Sequence, residues 1–115
     1  MNKNQLIYIG SPYSSPDKAV EQLRHDQVLD ITADLLNQGY HVISPIVHCH
    51  SLSIKHKMRG DFEFWKAYNF ALLSKCDVLL IIPLDGWKTS VGLGSEMFFA
   101  EEHGIEIEKY NLVTN

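Results

Sequence analysis

Only two cysteines, Cys49 and Cys76, occur in 115 residues, too few for a disulfide framework. No apolar run is long enough to cross a bilayer: the stretch from Val78 to Leu84 contains Pro83 and reads as a buried strand. The opening Met1-Asn2-Lys3-Asn4 lacks the build of an export signal, so a cytoplasmic protein with no membrane partner is expected. A basic surplus is missing too. Ten Lys and Arg face 14 Asp and Glu for a net charge of −4, and the cations are scattered, so no nucleic-acid polymer is expected as partner. No repeat, low-complexity tract or linker divides the chain, which implies one domain over residues 1–115. So small a domain buries a limited share of its surface, and association into a dimer or larger homo-oligomer would add burial.

What is present is a regular alternation of short apolar runs and helical stripes. Gln5 to Ile9 reads as a strand closed by Gly10, followed by the turn-rich Ser11-Pro12-Tyr13-Ser14-Ser15-Pro16-Asp17. Val20, Leu23, Val28, Ile31, Leu35 and Leu36 recur at helical spacing between about Pro16 and Gln38, with Ser15 as N-cap and Gly39 as stop. Tyr40 to Ser44 gives a second strand. From Pro45 to about Gly60 the chain is polar and rich in histidine, and reads as a mobile flap. Asp61 to Lys75 carries Phe62, Trp65, Tyr68, Asn69, Leu72 and Leu73 on a helical stripe; Asp77 to Pro83 is a third strand, Val91 to His103 a helix, and Ile105 to Val113 the last strand. This order implies an α/β fold: a small doubly wound, flavodoxin-like or Rossmann-like parallel sheet of four to five strands with helices on both faces. With strand order 2-1-3-4, a ligand crevice lies beyond the carboxyl ends of strands 1 and 3.

The loops at that crevice carry the chemistry. In Ser90-Val91-Gly92-Leu93-Gly94-Ser95-Glu96, Gly92 and Gly94 let a ligand approach the opening of a helix, and Ser90 offers a hydroxyl to a phosphate or sugar oxygen. Glu96, in or near the first turn, is expected to stay ionised and to serve as nucleophile or sugar anchor. An ordinary β-to-α turn explains the same residues. Gly10 and Ser11 could present backbone N–H groups and a hydroxyl to phosphate, with Tyr13 stacking on a planar ring, although the segment is neither a Walker loop nor a dinucleotide fingerprint. Asp85 and Trp87 stand in the second crevice loop. His48 or His50 would line the flap. His48-Cys49-His50 with His56 lacks a second pair at ligand spacing, so neither a metal nor another cofactor is expected.

These segments resemble the nucleoside 2-deoxyribosyltransferase-like superfamily, which includes 2'-deoxynucleoside 5'-phosphate N-hydrolases. The resemblance rests on Ile7-Tyr8-Ile9-Gly10-Ser11, on Gly39 to His50 with Ser44-Pro45, on Leu73 to Asp77, and on Ser90 to Glu96. It implies the same doubly wound fold, homo-oligomeric assembly, and a small-molecule nucleoside or nucleotide as substrate. It also implies that Glu96 attacks the anomeric carbon of a 2'-deoxynucleoside, as in retaining glycosidases. By the same resemblance Ser11 and Ser90 would bind a 5'-phosphate, with Tyr13 and Trp87 near the base.

One position departs from the pattern. Where many members have an Asp that assists the leaving base, this chain has Asn69, and an amide cannot deliver a proton. Asp85, Asp61 or a flap histidine would then substitute, or the base would leave with help from water. The expectation is hydrolysis or transfer at the N-glycosidic bond of a 2'-deoxynucleoside 5'-monophosphate. Its competitor is a non-catalytic nucleotide-binding or sensing module on the same fold.

Overall fold

The computed structural model describes residues 1–112. Its elements are β1 (Leu6–Gly10), α1 (Lys18–Asn37), β2 (His41–Ile43), α2 (Pro45–Lys55), α3 (Phe62–Leu73), β3 (Val78–Ile81), α4 (Val91–Glu102) and β4 (Glu106–Lys109). The strands form one parallel sheet in the order β2-β1-β3-β4, so the winding reverses between β1 and β3, where Ile9 pairs with Leu80 and Gly10 with Ile81.

Period-two alternation distributes the core to the two faces. Ile7, Ile9, Val78, Leu80 and Ile82 pack with Val28 and Leu35 of α1. Tyr8, Leu79 and Ile81 pack on the other face with Leu73 of α3 and with Leu93 and Ala100 of α4. Burying an apolar side chain of this size is worth about 1.5–3 kcal/mol, so both layers need their helices. No helix among the described residues is long and apolar enough to cross a membrane.

Three segments differ from the sequence expectation. Helix α1 starts at Lys18 rather than Pro16, because the Asp17 carboxylate caps it by accepting from the Ala19 N–H at 2.9 Å. Ser15 supports that cap from outside: its hydroxyl accepts from the Asp17 N–H at 3.1 Å. The segment expected to be a flap is largely helix α2. Ser44 caps it by accepting from the Val47 N–H, and Pro45 occupies its first turn, where a missing N–H costs nothing. The helix packs against α1 and walls one side of the sheet's carboxyl end. Of the last expected strand, Glu106–Lys109 is strand, and Val113 lies outside the described residues.

Candidate functional site

A cleft of about 440 Å³ opens beyond the carboxyl ends of β1 and β3. The loop after β1, the inner face of α2, the first half of α3 and the start of α4 enclose it. Glu96 forms part of its floor. Ser90 caps helix α4, its hydroxyl accepting from the Leu93 N–H at 3.2 Å, so Glu96 falls in the second turn, past the reach of the helix's positive end. Gly10 lets Leu79 and Leu93 pack beside it: a Cβ there would stand 2.9 Å from Leu79 Cδ1 and from Leu93 Cδ1, with Glu96 Oε1 at an ordinary contact of 3.6 Å.

Glu96 is 6% exposed, and its Oε2 accepts a hydrogen bond from the hydroxyl of the fully buried Tyr8. Burial pushes this carboxyl up from 4.5 to about 7, with the Tyr8 hydrogen bond pulling the other way. The expectation that Glu96 stays ionised is therefore corrected: near neutral pH both protonation states are populated. Burial and the adjacent Glu96 charge drive the Tyr8 phenol far above its ordinary range, so Tyr8 remains a donor.

Two buried polar atoms in the cleft have no hydrogen-bond partner among the described residues. Ser11 Oγ and Asn69 Oδ1 are both buried and unbonded, with their residues 5% and 9% exposed. Leaving such a group unsatisfied costs about 1–3 kcal/mol, so each is poised to bind a group from outside the chain.

Residues 5–112 match the family described as Domain of unknown function (DUF1937). The chain belongs to that family. No curated protein matches it. The functional reading of this DUF1937 chain accordingly rests on its site chemistry.

Of the residues singled out in the sequence, Ser11, Tyr13, Asn69, Ser90, Gly92 and Glu96 line one cleft, and Gly10 abuts its floor. Tyr13 is held by His50, whose Nδ1 lies 2.6 Å from the phenol oxygen, while His50 Nε2 lies 3.1 Å from Gln22 Oε1. Because Gln22 donates through Nε2 to Asp26, its oxygen is the acceptor; His50 thus carries its proton on Nε2 and accepts from Tyr13. Burial and the stacked His25 ring, 4.0 Å away, hold the His50 imidazole below its ordinary value. Tyr13 is pushed up to about 12 by burial and by Glu21.

Four expected residues fall elsewhere. His48 is exposed and stacks on Tyr68, because residues two apart on a helix point to nearly opposite sides; His50 takes the cleft position. Trp87 sits in a 3₁₀ turn over Trp87–Thr89 and packs against the core beneath α4, with Lys88 and Lys109 at its ring. Asp85 is exposed and contributes only its backbone carbonyl, which accepts from Arg24. Gly94 opens onto a shallow groove between α3 and α4, outside the main cleft. Asp61 does line the cleft, but hydrogen bonds from Arg59 hold its carboxyl below the usual range, so it is no proton donor at neutral pH. No three His, Cys, Asp or Glu residues gather into a metal site among the described residues.

Two residues escaped the sequence reading. Tyr8 passes for core in an apolar strand, although alternation puts it on the face of Leu79 and Leu93, where Glu96 comes down. Arg24 lies four residues before the buried Val28 on the inward stripe of α1, and Glu21 and His25 are buried there too. Polar side chains at one end of an otherwise apolar stripe were the available signal.

Proposed function

We propose that the protein cleaves the N-glycosidic bond of a 2'-deoxynucleoside 5'-monophosphate, passing the sugar to water or to a second base, with Glu96 as nucleophile. The observation that carries this reading is the buried, tyrosine-held carboxyl of Glu96 at the floor of a cleft at the sheet's switch point. The carboxylate attacks the anomeric carbon, and the carbon–nitrogen bond breaks with its electron pair going to the base. The base takes a proton from water, and attack of water or another base on the sugar ester regenerates Glu96. Ser11 and Ser90 bind the phosphate, and Tyr13, oriented by His50, packs beside the base. The amide of Asn69 hydrogen-bonds the leaving base. Only ionised Glu96 attacks, so the rate rises with pH through about 7. Association into homo-oligomers is part of the proposal, supported by Val91 and Phe98 on α4, which are 80% and 65% exposed.

The test is incubation of the purified protein with each 2'-deoxynucleoside and its 5'-monophosphate, followed by detection of free base. Release should fall by at least about a thousandfold in Glu96→Gln and Glu96→Ala, the order expected for loss of a nucleophile. The competing reading, binding without turnover, draws on Asn69, which cannot protonate a leaving base. Nucleotide-dependent stabilisation with no base released from any substrate would establish it and remove the catalytic one.

A further inference from the structure

Arg24 is the one Lys or Arg that lines the cleft among the described residues, and it is half-buried. A guanidinium carries five N–H donors and no acceptor. Three of them meet backbone carbonyls: Nη1 donates to Tyr13 at 3.2 Å and to Ser14 at 3.0 Å, and Nη2 donates to Asp85 at 3.1 Å. The Nε–H and the second Nη2 hydrogen meet no acceptor among the described residues, and no carboxylate lies at ion-pair distance. The carboxylate of Asp61, on the same cleft, is taken by Arg59 at 2.7 Å. Arg24 thus carries a full charge on the cleft wall with two free donors and no counter-ion.

The surroundings are fitted to that group. Arg24 ties the loop after β1 to the loop after β3, the two rims of the switch-point crevice. Gly86, at φ 90°, passes so near that a Cβ would lie 2.6 Å from Nη2, so the rim is shaped around the guanidinium. The loop that supplies two of the three carbonyls also supplies Ser11, whose buried hydroxyl has no partner and faces the same cleft. A cation with two free N–H groups on the same cleft as an unused hydroxyl matches an oxyanion, which accepts several charge-assisted hydrogen bonds at once.

We propose that Arg24 joins Ser11 and Ser90 as the cation of the phosphate subsite, and that it sets a preference for 5'-monophosphates over uncharged nucleosides. The assignment rests on the nucleotide reading above for the identity of the ligand, but its test does not need turnover. Calorimetric titration compares inorganic phosphate, a 2'-deoxynucleoside and its 5'-monophosphate on the wild type, Arg24→Met and Arg24→Lys. The wild type should prefer the monophosphate by at least about tenfold, and Arg24→Met should erase that preference while Arg24→Lys keeps part of it. Inorganic phosphate should compete with the monophosphate. Equal affinity of the wild type for both ligands, equal loss of both in Arg24→Met, or phosphate that binds without competing overturns the assignment.

Should Arg24→Met not fold, the wild type still decides the matter. Phosphate addition should move the Arg24 Nε–H resonance in a nitrogen-15 spectrum, and an unmoved resonance overturns the proposal. Phosphate-dependent binding with no base release leaves the subsite standing and removes the glycosidase reading. Base release with equal efficiency from nucleoside and monophosphate does the reverse.

Discussion

The two ends of the sheet are built on opposite terms. At the amino end β1 and β3 are tied by satisfied polar groups: the Leu6 N–H donates to the Asp77 carboxylate at 2.8 Å, and the Asp77 N–H to the Leu6 carbonyl at 2.8 Å. At the carboxyl end, among the described residues, a carboxyl group is buried without a cation, two buried oxygens have no partner, and a guanidinium has no counter-ion. A fold selected only for stability would not concentrate these deficits within one cleft. Their clustering at the carboxyl end, where a doubly wound sheet receives ligands, marks that end as the working one.

The sharpest way to test the contrast is to remove the buried charge. Glu96 binds its proton more tightly in the folded protein than in the unfolded chain. Its contribution is therefore full below about pH 4.5, declines as pH rises, and is lost above about 7. The gap corresponds to about 3 kcal/mol. Glu96→Gln keeps an acceptor for Tyr8 and has no charge to bury. Urea unfolding should show it about 3 kcal/mol more stable than the wild type at pH 8 and near parity at pH 4.5. Equal stability at both values would mean that the carboxyl is solvated, and the two ends of the sheet would no longer differ in the way described.

Tyr8→Phe has the next largest expected effect. It removes the hydrogen bond that favours the charged carboxylate, so under the proposed mechanism the rising limb of the pH–rate profile should lie above the wild-type limb expected near 7. Such a bond to a charged group is worth about 2 kcal/mol, which is a shift of about one to two pH units. A limb that stays in place would show that Tyr8 does not hold Glu96. At the opposite end, Asp77→Ala deletes an exposed acceptor and should cost about 1 kcal/mol of stability with base release unchanged. Loss of activity in that variant would mean that the two ends are coupled.

The architecture was legible because its signals are periodic. Ile7 and Ile9 against Tyr8, and Val78, Leu80 and Ile82 against Leu79 and Ile81, alternate as a sheet with two covered faces requires. The stops at Gly39 and Gly104 carry positive φ values of 94° and 67°, which glycine tolerates. Helix α2 was hidden by its composition, although Ser44-Pro45 is a cap followed by a first-turn proline. The site was only partly legible, because a loop's sequence does not say which way its side chains point. Trp87 and Asp85 turn away from the cleft, while Tyr8 and Arg24 enter from elements that read as core. His48 and His50 became distinguishable only once their segment was known to be a helix.

The smallest expected effect tests the contrast most directly, because its sign is opposite to the usual one. Truncating a buried hydroxyl that makes a hydrogen bond costs about 1 kcal/mol or more. Ser11 Oγ makes none, so Ser11→Ala removes a desolvated group and no bond, and stability should stay the same or rise by a few tenths of a kcal/mol. Thermal unfolding without ligand measures this. On the proposed reading, the same variant should also lose most of any additional stabilisation that a 2'-deoxynucleoside 5'-monophosphate gives the wild type. A marked loss of stability without ligand would mean that Ser11 already has a partner, and the carboxyl end would then be no less satisfied at this position than the amino end.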